Sequence, residues 1–175
     1  MNRNIVKSIL CIFALFFFIA GARAHEGHHH GTQSSAEKFQ VAHNKKKEDL
    51  KFIGIKYNQN IRAIFNQKCL SCHGESVKLP WYSDLPFASQ LIRKDREEAV
   101  KHIDMSNGFP FGGHGMNEED LDAIAKSSSD GSMPPLRYRL LHWGASLNEY
   151  EKFQILKWVN ESKILLKNSP EASKE

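Results

Sequence analysis

The stretch Ile61-Arg62-Ala63-Ile64-Phe65-Asn66-Gln67-Lys68-Cys69-Leu70-Ser71-Cys72-His73 decides the fold. Ile61, Ile64 and Phe65 recur at i, i+3 and i+4, so they share one face of a helix. That helix is predicted to start near Asn58 and to run into Cys69. Downstream, Pro80 to Pro86 reads as a loop carrying Trp81 and Tyr82. Asp84 is the expected cap of a second helix, with Pro86 in its first turn, where proline is tolerated. Phe87, Ala88, Leu91, Ile92 and Ala99 carry that helix to about Asp104. Asn107 to Gly115 holds four glycines and a proline and reads as a loop. Asn117 opens a third helix, with Leu121, Ile124 and Ala125 inward, and Ser127 to Pro135 is expected to break it. Ser146-Leu147-Asn148-Glu149 has the pattern of a capping box. It would open a last helix to about Leu166, with Tyr150, Phe153, Ile155, Leu156, Trp158, Val159 and Ile164 on its apolar side. No segment alternates as a strand and no internal repeat is present, so the expected fold class is all-α.

Cys69-Leu70-Ser71-Cys72-His73 is C-x-x-C-H, the attachment pattern of haem c. Two thiols three positions apart lie on adjacent parts of one helical turn and can add to the two vinyl groups of one haem. The next residue, His73, then falls under the iron as proximal ligand. A zinc site would need a second ligand pair, and the remaining histidines are scattered. A thioredoxin-like redox pair would want a βαβ context. A plain disulfide would leave His73 without a role.

The motif requires export, and the amino terminus supplies a route. Arg3 and Lys7 precede an apolar run from Ser8 to Gly21, followed by Ala22-Arg23-Ala24, a small-x-small cleavage pattern. Residues 1–24 are therefore expected to be a secretory signal peptide. The run is shorter than the roughly 20 residues that span a bilayer, so no stable membrane span is expected after cleavage. Of the 175 residues, 151 would remain after removal of these 24, and three basic residues would leave with them. The net charge falls from +4 to +1, which removes the case for a nucleic-acid partner. Three cysteines become two, both in the motif.

Residues 25–56 are polar, with His25, His28, His29 and His30 followed by Lys45-Lys46-Lys47. They read as a flexible leader in which His25 to His30 can bind Cu or Zn weakly. Residues 57–167 form the expected haem c domain, and 168–175 a disordered tail. A domain this small is marginal on its own apolar burial, and a buried macrocycle enlarges its core.

The second axial position has a leading candidate in Met133, held in Gly131-Ser132-Met133-Pro134-Pro135. The prolines stiffen the loop that would present the thioether, and Met/His ligation raises the reduction potential. Met105, Met116, His102, His114 and His142 are rivals, with His114 the foremost for its glycine-rich loop. Trp81, Tyr82, Arg137 and Tyr138 are candidate cofactor-binding residues through N–H, O–H and guanidinium donors to propionates. The carbonyl of Pro80 or Pro86 is the expected partner of the proximal imidazole.

The C-x-x-C-H motif, Pro80-Trp81-Tyr82-Ser83, Gly131-Ser132-Met133-Pro134, Tyr138, His142, Leu147, Glu149 and Trp158 together resemble the bacterial haem-binding domain family of c-type cytochromes. The resemblance spans Cys69 to Trp158. It implies a small cytochrome c-like helical domain wrapped around one covalent haem c. It departs where the family tends to carry His-x-x-x-Gly, here Asp95 to Ala99, and where the family's His-Pro is His142-Trp143. The expected function is that of an exported mono-haem cytochrome in periplasmic electron transfer, with redox proteins as partners. A haem sensor or small peroxidase with a displaceable distal ligand is the alternative.

Overall fold

The computed structural model describes residues 34–75 and 78–169. The expected signal peptide, the histidines His25 to His30 and residues 170–175 lie outside the described residues. The fold is all-α. Its helices are α1 (Ser35–Asn60), α2 (Arg62–Lys68), α3 (Leu70–His73), α4 (Ala88–His102), α5 (Asn117–Asp130), α6 (Leu136–Leu141) and α7 (Glu149–Asn168), with a 3₁₀ turn at Trp81–Asp84. Among the described residues the β contribution is one isolated bridge between Asp104 and Gly112.

The longest helix, α1, covers most of what the sequence presents as a leader. Residues 35–56 are therefore part of the folded domain. Ser34 caps the helix, its hydroxyl accepting from the Glu37 N–H at 3.2 Å. The buried positions are Ala42, Asp49, Ile53, Gly54 and Tyr57. The spacing of 42, 49, 53 and 57 is a helical stripe, but its first half is Ala and Asp, so hydropathy hides it. Asp49 is held by Lys45 Nζ at 2.8 Å and by the Ser169 hydroxyl at 2.6 Å. These bonds, Lys45 first, keep its carboxyl below the usual 3.8. Ser169 thereby ties the end of α7 to α1, and the expected disordered tail from 168 gives way to structure at Asn168 and Ser169.

The core runs along α1 and α2 as Ile53, Tyr57, Ile61 and Phe65, and closes against Leu121 and Ile124 of α5 and Ile155, Trp158 and Val159 of α7. Phe109 and Phe111, from the glycine-rich loop, complete it. The rings meet mostly edge to face: Tyr57 and Phe111 at 5.5 Å and 84°, Phe109 and Trp158 at 5.7 Å and 86°. Gly54 allows this loop in, since a Cβ there would stand 2.8 Å from the Phe109 carbonyl oxygen. Trp158 is core, as its place on the last helix predicts.

Three boundaries differ from expectation for local reasons. α5 continues through Ser127 to Asp130, with the Ser129 hydroxyl donating back to the Ala125 carbonyl at 2.8 Å. It stops at Gly131, whose φ of 67° is left-handed. The box that opens α7 is centred on Asn148, not Ser146: Glu151 N–H donates to Asn148 Oδ1 and Asn148 N–H to Glu151 Oε2, both at 2.9 Å. Asp84 belongs to the 3₁₀ turn, and α4 starts after Phe87, which is 88% exposed. On α7, Tyr150, Phe153 and Ile164 are exposed while Ser162 is buried, its hydroxyl donating to the Trp158 carbonyl at 2.7 Å.

Candidate functional site

The motif sits where α2 passes into α3. Cys69 N–H donates to the Phe65 carbonyl at 2.9 Å, and His73 N–H to the Cys69 carbonyl at 3.0 Å. These bonds carry the chain from the core residue Phe65 to the histidine across Cys69, where the helix is interrupted at φ −117°. Cys69, Cys72 and His73 line one wall of a cavity of about 1000 Å³.

The same cavity explains α4. This helix buries none of its residues fully, although its apolar spacing predicts an inward face. Ala88, Leu91, Ile92, Asp95, Ala99 and His102, on one helical stripe, all line the cavity. Pro80 to Tyr82 and Met133 to Pro135 form further walls, and Phe65, Ile124 and Ile155 reach it from the core. Trp81 lines the cavity and is 79% exposed, so the cavity reaches the surface there.

His73 is fixed by the residue that ends α4. Its Nδ1–H donates to the Ile103 carbonyl at 2.9 Å, replacing the expected Pro80 or Pro86 partner. A carbonyl only accepts, so Nδ1 carries the hydrogen and Nε2 carries the lone pair. Burial pushes the imidazole below its usual 6.5, and the neutral, ligand-competent form is favoured. The His73 carbonyl accepts from Met105 N–H at 2.8 Å.

Arg96 is a member of the site that sequence reasoning missed. Its guanidinium donates to the carbonyls of Ser71 and Gly74 at 2.7 Å each, and of Glu75 at 3.1 Å. The Ser71 carbonyl is one that the end of α3 leaves without an intrahelical partner, and Gly74 and Glu75 follow that helix directly. Its only sequence signal was a cation on the α4 face otherwise spaced for packing.

The two cysteines are free thiols. Burial pushes Cys69 up to about 12, with Cys72 adding to the effect, and burial also raises Cys72. Both are protonated at neutral pH. Among the described residues no group of three or more His, Cys, Asp or Glu is placed to hold a metal ion, as a zinc site would require.

The other candidates separate by position. Met133 lines the cavity and is half-exposed, Met105 lines it from the core, and Met116 is exposed and does not line it. His102 lines it and packs on His114, ring centroids 4.7 Å apart, while His114 itself stands off the wall. His142 lines it, accepting at Nε2 from the Tyr82 hydroxyl and donating from Nδ1 to the Tyr138 carbonyl. Trp81, Tyr82, Arg137 and Tyr138 all line it too. Arg137 is already engaged, its Nη2 on Asp95 Oδ1 at 2.6 Å and Nε on Oδ2 at 3.2 Å, which bridges α6 to α4.

A largely apolar cavity whose walls carry two thiols, the partly buried imidazole of His73 with further imidazoles at His102 and His142, and the thioethers of Met105 and Met133 fits a haem. The comparisons with known proteins agree. Part of the chain is similar to the cytochrome c peroxidase Ccp of Escherichia coli (strain K12), 27% identical over 117 residues, which is 65% of this chain and 25% of that protein. The chain thus matches about a quarter of that relative's length. No solved structure matches it. The family model of the haem-binding domain matches residues 33–161, from just before α1 into α7, and the chain belongs to the haem-binding domain family.

Proposed function

We propose that this protein is an exported single-haem c-type cytochrome that carries electrons in the periplasm. The observation that carries this reading is one cavity lined by Cys69, Cys72, His73 and Met133. Cys69 and Cys72 would hold a haem through their thiols, and His73 Nε2 and Met133 would ligate its iron. The haem supplies a one-electron iron couple. The chain supplies the rest. The Ile103 carbonyl orients the imidazole, Arg96 holds the attachment turn, and the α4 stripe keeps the cavity apolar. Trp81 and Tyr138 offer N–H and O–H donors to propionates, whereas the Tyr82 O–H is already given to His142 Nε2. Redox proteins are the partners, docked weakly, and the near-neutral mature charge favours no sign of partner. The basic start, apolar run and Ala22-Arg23-Ala24 pattern support export.

The second reading is a sensor or small peroxidase with a displaceable distal ligand. The half-exposed side chain of Met133 and the name of the Escherichia coli relative favour it.

Optical spectra of the purified holoprotein, with and without carbon monoxide, test the first reading against the second. A six-coordinate spectrum that ignores CO, and becomes CO-reactive in Met133→Ala, is expected. Ready CO binding by the wild type overturns Met133 as a firm distal ligand. A pyridine haemochrome without c-type character overturns covalent attachment.

A further inference from the structure

His142 is held by three contacts. Its Nδ1–H donates to the Tyr138 carbonyl at 2.8 Å, so Nε2 carries the lone pair. The Tyr82 hydroxyl faces that lone pair and donates to it. The ring lies flat on Tyr138, centroids 3.7 Å apart and planes 10° from parallel. Tyr82 itself comes from the 3₁₀ turn, 60 positions earlier, and is steadied by Trp81, with ring centroids 6.0 Å apart.

His142 lines the same cavity as His73 and Met133. Imidazole is a good ligand for iron, and a neutral imidazole with an open Nε2 beside a haem would compete with a thioether. The Nε2 lone pair of His142 is not open, because the Tyr82 hydroxyl uses it. We propose that Tyr82 is a positioning residue that sets the identity of the distal ligand: by occupying the Nε2 lone pair of His142, it reserves the sixth position for Met133. Tyr138 cooperates through its carbonyl and ring, which fix the tautomer and plane of the imidazole. The inference rests on the haem reading above and adds to it the residue that decides between Met/His and bis-His ligation.

Spectroscopy of the haem-loaded protein tests it. Met133→Ala alone leaves His142 tied to Tyr82, so a vacant position and a clear CO difference spectrum are expected. Met133→Ala with Tyr82→Phe frees the lone pair while keeping the ring against Trp81. This double variant is expected to turn low-spin with bis-imidazole character and to lose the CO response. Adding His142→Gln to the double variant should restore CO binding, which a general loosening of the fold would not do. A double variant as CO-reactive as Met133→Ala, or a Met133→Ala protein that is already CO-inert, overturns the inference while leaving haem attachment intact. A wild type without attached haem overturns the parent reading, and the inference falls with it.

Discussion

His73 and Ile103 are joined by a hydrogen bond from the imidazole Nδ1–H to the backbone carbonyl, 2.9 Å long. Ile103 is the residue that ends α4, so the plane of the imidazole is set by where that helix stops. Arg96, two turns earlier, grips the carbonyls of the same attachment turn. One helix therefore positions both the ligand and the turn that carries it.

Removing the grip is expected to loosen the turn without dissolving the core. Arg96→Ala loses three charge-assisted bonds and should cost about 2–4 kcal/mol. Thermal melts of the haem-loaded protein should show a drop of several degrees, and the yield of attached haem should fall. Arg96→Lys should recover part of both, since an ammonium lacks the planar fork that reaches several carbonyls. An unchanged melting temperature and haem yield in Arg96→Ala would contradict the assignment.

The attachment thiols are expected to be sluggish nucleophiles before haem is added. With Cys69 pushed up to about 12, its thiolate fraction at pH 8 lies roughly three orders of magnitude below that of an ordinary cysteine. Iodoacetamide should label the haem-free protein slowly in buffer and quickly in urea. Equal rates in the two solvents would show that the cavity wall does not form without haem.

Gly54→Ala places a methyl 2.8 Å from the Phe109 carbonyl oxygen, a backbone atom that cannot swing away. The expected cost is about 1–3 kcal/mol, despite the better helix propensity of alanine. The urea midpoint of the haem-loaded variant reports it, and a midpoint at or above that of the wild type would be inconsistent with the packing of this loop on α1.

Asp49 links the two longest helices and carries a pH signature. Lys45 and Ser169 hold its carboxyl below the ordinary 3.8. The ionised form is thus favoured by folding, and its contribution is present above pH 3.8 and lost as pH falls through the folded value. Asp49→Asn should cost about 1–3 kcal/mol at pH 7. The gap between wild type and variant should close as the pH is lowered below about 4. Urea midpoints across the range from neutral to acid pH measure this, and a gap independent of pH would assign the loss to packing alone.

Much of the site was legible because its chemistry is local. C-x-x-C-H needs only one helical turn, and Met133 is marked by the prolines after it. The α4 stripe was also readable, although the residues that the spacing points toward a core face a cavity. α1 was not readable from 35 to 56, because its buried stripe contains Ala42, Asp49 and Gly54 and its other faces are crowded with lysine. Hydropathy records the side chain's preference for water, not whether a partner such as Ser169 makes burial of a carboxylate tolerable.

The sequence by itself determined the helical class, the C-x-x-C-H turn with its two thiols and imidazole, and the proline-stiffened methionine loop, since each depends on spacing within a few residues. Tertiary structure alone decided what those groups meet. The Ile103 carbonyl on His73, the Arg96 clamp, and Tyr82 on His142 each join residues 21 to 60 positions apart. Such pairs have no periodicity to read, because a hydrogen bond requires two atoms to meet in space and their separation along the chain is set by the packing of whole helices.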